Sequence, residues 1–227
     1  MSSAALSELK IKLGSQLIDP ERVTPQPGLP TQHSELDRFL LWGGLPCGRI
    51  TLFQGRPGSG LTSLWLDAAC DVLKRGRWAV FVETPGRRLN PWSFLKKTPN
   101  LSHLLVVQAP SETEKLLWVL HELIGLSLFD LIGCDLNQTT LKTRHLAQLQ
   151  KQCQHTQTAL VLQSSREGLI SSPQYALVLH FSQQHILVKR ALHRTTPQLI
   201  PRRHTYAHLM PQPQPAITQL TGQLVAP

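Results

Sequence analysis

The stretch ITLFQGRPGSGLTSLWL, Ile50 to Leu66, constrains the chain more than any other. A mostly apolar run meets three closely spaced glycines and then a helix-forming segment, so a buried strand must turn sharply into a helix. The spacing Gly55-Arg-Pro-Gly-Ser-Gly60-Leu61-Thr62 is that of a phosphate-binding P-loop, G-x-x-x-x-G-K-[ST], with leucine in the lysine position. Such a loop holds phosphate because glycines let backbone N–H groups turn inward while the helix N-terminus adds a positive dipole end. Gly55, Gly58 and Gly60 supply that nest, Arg56 and Ser59 lie within it, and Thr62 offers a hydroxyl to Mg²⁺. The missing lysine is the group that reaches the β and γ phosphates. Losing such a charge-assisted contact costs about 1.5–3 kcal/mol, and Leu61 puts an apolar side chain beside the polyanion. The pattern allows weak nucleotide binding and predicts no γ-phosphate catalysis. The alternative is that the glycines serve only the tight turn.

The rest of the chain alternates in the same style. SELDRFLLWGGLPCG reads as a short helix ending at Gly43-Gly44, and RITLFQG as the first strand. The helix after the loop runs to about Arg75 and stops at Gly76. WAVFVET and LLVVQAP are the next two strands. SETEKLLWVLHELIGLS is an amphipathic helix opened by a capping box, Ser111 with Glu114. FDLIGCDL, the helix TLKTRHLAQLQKQCQHT and TALVLQSS follow. Apolar strands alternating with helices predict an α/β fold, a mostly parallel sheet covered on both faces. YALVLHFS and HILVKRAL flank Gln183-Gln184 and read as an antiparallel hairpin at the sheet edge. The expected division is an N-terminal helix and Pro-rich linker (1–31), a core (32–196) and a basic, extended Pro-rich tail (197–227), where six prolines fall.

Charge adds one constraint. The formal net charge is +9, and after Glu167 no acidic residue occurs, whereas Lys189, Arg190, Arg194, Arg202 and Arg203 all do. A one-sign tail suits an acidic partner, nucleic acid or an acidic protein surface, or else merely a solvated tail. In the N-terminal segment Leu6, Leu9, Leu13 and Leu17 recur at helical spacing, one apolar face that folds back on its own domain or docks elsewhere. The four cysteines are scattered without C-x-x-C spacing, as in a reducing cytoplasm. Cys153 and His155 lack a second ligand pair, so no metal is expected. No apolar run approaches the roughly 20 residues that span a bilayer, and no signal-peptide pattern opens the chain. A cytoplasmic protein without membrane contact is the expectation.

These residues resemble the RecA family. LDRFLLWGGLPCGRITLFQGRPGSGLTSLWL is similar to the recombinase segment in which L-D and G-G-L-P-x-G-R-I precede the P-loop. FVETPGRRLNP resembles its second-strand region, FDLIGCD its Walker B strand ending in Asp135, and ALVLQSS the strand carrying the ATP-sensing glutamine, here Gln163. The resemblance implies that Asp135 would hold the metal of a bound nucleotide through water. Pro85 stands where the recombinase has its catalytic glutamate, and Glu83 lies two residues earlier. The two loops that grip DNA in the recombinase are here reduced to a few residues.

A short RecA-like chain of this kind most resembles the ImuA family of bacterial damage-induced mutagenesis cassettes. LKRGRWAVFVE and LLVVQAPSETEKLLWVLHELI are similar to stretches of that family. What the resemblance implies is a non-catalytic accessory protein of SOS-induced translesion synthesis, with RecA, ImuB and an error-prone replicative-type polymerase as partners and no required cofactor. Leu6, Leu9, Leu13 and Leu17 would then meet RecA, and Lys189, Arg190, Arg194, Arg202 and Arg203 would meet ImuB or DNA. The runner-up is an ATP-binding recombination mediator or weak ATPase, with Arg56 or Lys74 replacing the lost lysine.

Overall fold

Eight strands join into one sheet in the order β3-β2-β4-β5-β1-β6-β7-β8 in the computed structural model of the chain. It describes residues 27–85, 88–90, 101–137, 139–165, 172–183, 185–191 and 198–201. In chain order the elements are α1 (Ser34–Phe39), β1 (Ile50–Gly55), α2 (Leu61–Lys74), β2 (Trp78–Glu83) and β3 (Leu104–Gln108). There follow α3 (Thr113–Gly125), β4 (Phe129–Asp135), α4 (Thr143–Thr156), β5 (Ala159–Ser164), β6 (Tyr175–Phe181), β7 (His185–Ala191) and β8 (Gln198–Pro201). The six strands from β3 to β6 in sheet order are parallel, whereas β7 and β8 pair antiparallel at the edge. The mostly parallel α/β architecture and its antiparallel edge hairpin are therefore present as read.

Period-two alternation sorts each strand's side chains into two cores. Phe53, Ala79, Phe81, Leu131 and Val161 pack with Leu64, Trp65, Ala68 and Val72 of α2 on one face. Leu52, Val80, Val82, Ile132, Cys134 and Leu162 pack with Leu116 and Leu120 of α3 and Leu146 and Leu149 of α4 on the other. The centre of the sheet is apolar on both sides, which is why its strands read as near-continuous hydrophobic runs. At the opposite edge β3 is less covered, with Leu105 and Val106 exposed. One polar side chain bridges the layers: buried Gln150 of α4 donates to the Gly48 carbonyl at 2.9 Å and accepts from the Ile50 N–H at 3.0 Å. It fixes the point where β1 enters the sheet.

Three readings are corrected. The helix α3 starts at Thr113 with Glu112 at its N-cap and no side-chain capping bond, so Ser111 and Glu114 form no capping box. The Ser111 carbonyl instead accepts from the Thr139 hydroxyl at 3.1 Å, which draws this turn towards the loop after β4. Second, α1 spans six residues and ends at Phe39, short of Gly43-Gly44. Third, the chain beyond Pro197 begins with β8, whose Ile200 is buried against the core while Leu199 faces solvent. A strand of four residues is too short to leave a periodic signal. The segment with Leu6, Leu9, Leu13 and Leu17, and Arg194, Arg202 and Arg203, lie outside the described residues. Lys189 and Arg190 are placed by their backbone in β7.

Candidate functional site

The glycine-rich loop leaves the carboxyl end of β1 at the centre of the sheet, between β5 and β6. It opens with a tight turn: the Ser59 N–H donates to the Arg56 carbonyl at 3.0 Å, around Pro57 and around Gly58 at φ +80°. Proline second and a positive-φ glycine third is the type II arrangement. Gly60 at φ +92° is the N-cap of α2 and has no side chain with which to cap it. The first-turn N–H groups of α2 thus lack intrahelical partners and face outward with the positive end of the helix dipole. No acidic residue occupies that first turn. At Gly55 even a methyl group would collide, lying 2.6 Å from the Ser59 hydroxyl and 2.8 Å from the Phe181 carbonyl. The loop is folded down on β6, and only glycine fits there.

Leu61 corrects the sequence reading. Its side chain does not lie beside a phosphate path; it is 6% exposed and belongs to the α2-side core. Burial of that many apolar atoms is worth about 1.5–3 kcal/mol, and the direction of the side chain follows. Lys74 lies at the far end of α2, so it is no substitute for the missing cation. A 14-residue helix separates it from the loop by about 20 Å. Arg56 is exposed in the loop itself.

The ends of β4 and β5 and the first turn of α2 bring three polar side chains together. Asp135 and Gln163 are register partners on adjacent strands. The Thr62 hydroxyl donates to Gln163 Oε1 at 3.1 Å, a contact between residues 101 positions apart. Gln163 is 1% exposed, and its Nε2 has no hydrogen-bond partner among the described residues. Asp135, also buried, accepts from the Asn137 N–H at 2.8 Å. Burial, with the neighbouring Asp135 charge, pushes the Cys134 thiol far above its ordinary range and keeps it protonated. Glu83, at the end of β2, is buried and accepts from the Leu89 N–H. Pro85 is exposed, and its carbonyl accepts from Asn137 Nδ2 at 3.4 Å.

The expected site residues Gly55, Arg56, Gly58, Ser59, Gly60 and Thr62 thus lie on one continuous turn from β1 into α2, and Asp135 lies beside Gln163 as its register partner. Sequence reasoning missed the cleft on the loop's other flank, a cavity of about 660 Å³ between Arg56–Ser59 and the β6–β7 turn. His180 and His185 line it, and among the described residues no acidic side chain does. The only sequence signal was a pair of histidines bracketing the predicted hairpin. Among the described residues no group of three or more His, Cys, Asp or Glu side chains is placed to hold a metal, and no helix is long and apolar enough to cross a membrane.

Residues 7–167 match the family described as the RecA N-terminal domain. The chain is similar to Protein RecA of Xanthomonas campestris pv. campestris (strain B100), 31% identical over 141 residues, which cover 59% of this chain and 39% of that protein. It is also similar to Protein RecA of Leptospira biflexa serovar Patoc, 32% identical over 136 residues, covering 58% and 35%. A third relative, Protein RecA of Marinobacter nauticus, is 32% identical over 135 residues, covering 58% and 38%. The chain spans about two fifths of the length of the curated relatives it matches.

Proposed function

This chain belongs to the RecA N-terminal domain family, and from that premise we propose that it is a non-catalytic accessory protein of SOS-induced translesion DNA synthesis, of the ImuA kind. It keeps the RecA-like core for its surfaces and links RecA to ImuB and an error-prone polymerase through protein contacts. One observation carries the reading: the residue in the P-loop lysine position is a leucine packed into the core, so no cation rises from the start of α2 to a γ-phosphate. Pro85, where the family resemblance places a catalytic glutamate, supports it further. On this reading Leu6, Leu9, Leu13 and Leu17 meet RecA, while Lys189, Arg190, Arg194, Arg202 and Arg203 meet ImuB or DNA.

A second reading, an ATP-binding mediator, draws on the 660 Å³ cleft beside the loop and on the Thr62–Gln163–Asp135 cluster. That volume falls within the ~300–1,000 Å³ of small-molecule sites. Titration with a fluorescent ATP analogue and Mg²⁺, natural chain beside Leu61→Lys, separates the two. The accessory reading expects no saturable binding and no hydrolysis by the natural chain. Micromolar binding with turnover would overturn it. Retention of the 227-residue chain on immobilised RecA, lost in Leu9→Asp and Leu13→Asp, is the expected result for the partner half.

A further inference from the structure

A second cleft, with no acidic side chain among the described residues that line it, lies at the opposite end of the same strands. It occupies about 220 Å³ where β1 and β6 begin, walled by α4 and by the segment leading into β6. Ala147, Gln150, Lys151 and Gln154 recur at helical spacing, so they form one face of α4. Arg49, just before β1, and Pro173, Gln174 and Ala176 close the other side. The two alanines leave the room, and the rim is two cations and three amides. Neither the Arg49 guanidinium nor the Lys151 ammonium has an ion-pair or hydrogen-bond partner among the described residues. The wall is held in place by Gln150, whose amide is spent on Gly48 and Ile50.

We propose that this cleft binds the phosphate group of a small phosphomonoester, or phosphate itself. Its volume lies below the ~300–1,000 Å³ that enclose a whole drug-sized ligand, so it takes an ionic head group and leaves the remainder outside. Arg49 supplies a planar, permanently charged fork suited to oxyanions, and Lys151 a second positive charge. The Gln154 and Gln174 side-chain amides add neutral N–H donors. Among the described residues no carboxylate lines the cleft to compete for the cations. The site is separate from the glycine-rich loop, which sits at the carboxyl ends of these strands.

The test is a residue-resolved NMR titration of the full chain with inorganic phosphate, and in parallel with O-phosphoserine, at constant ionic strength. Saturable shifts of the Gln150, Gln154 and Gln174 side-chain amides are expected, weakened at least tenfold in Arg49→Gln and in Lys151→Gln. Lys151 is exposed, so its variant keeps the test valid should Arg49→Gln misfold. Tighter binding of O-phosphoserine identifies an ester as the ligand, and equal or tighter binding of phosphate identifies the free ion. Shifts confined to Gly55–Thr62, shifts that do not saturate, or both variants titrating like the natural chain would overturn the proposal.

Discussion

The two walls facing each other across the end of β1 have kept different things. The loop wall retains its backbone: a type II-like turn, two positive-φ glycines and a close approach at Gly55 that admits no side chain. Its one chemically decisive side chain has turned into the core. The strand-end wall retains side chains, with Gln163 accepting from Thr62 of α2 and Asp135 beside it. A backbone that the fold itself requires persists whether or not anything binds there. A buried amide whose Nε2 has no partner among the described residues is harder to explain by folding alone, because burying such a group costs about 1–3 kcal/mol.

The comparison breaks most easily at Leu61. If its side chain belongs to the core, Leu61→Ala should cost about 2–5 kcal/mol in chemical denaturation. A change within about 0.5 kcal/mol would mean that the leucine faces solvent after all. Next in size is Gly55→Ala, expected to cost about 1–3 kcal/mol through overpacking against Ser59 and Phe181. An unchanged melting curve would show that the loop can move away from β6. The smallest effect sharpens the other wall. In a double-mutant cycle of Thr62→Val and Gln163→Leu, the pair should couple by about 0.5–1.5 kcal/mol. The double variant should be near neutral or more stable, since both partners and the orphaned amide nitrogen leave together. A double variant as unstable as the sum of the singles would assign both side chains to packing.

The central strands were legible because each is buried on two faces and so spells an apolar run between turn signals. The loop was legible because a strand entering a helix this abruptly needs glycine at fixed places. What escaped was whatever depends on few residues or distant ones. β8 has only four residues. Ser111 and Glu114 have the capping-box spacing, yet the helix begins two residues after Ser111 and the Ser111 carbonyl is bound to Thr139. The Thr62–Gln163 contact joins positions that only the strand order brings together. Leu61 was read by position in a motif, whereas its surroundings decided its direction.

The place of β1 in the sheet has a consequence for how the molecule comes into being. Its neighbours are β5 and β6, so Ile50 waits for Leu160 on one side and Tyr175 on the other. As the chain leaves the ribosome, β1, the first strand among the described residues, is among the last to be flanked, and the glycine-rich turn stays unsupported until Phe181 has been made. Pairings that far apart in sequence slow folding, because loop closure must precede any return in contacts. An arrest of synthesis before residue 159 would leave β1 with both edges bare, an apolar strand open to whatever pairs with it first.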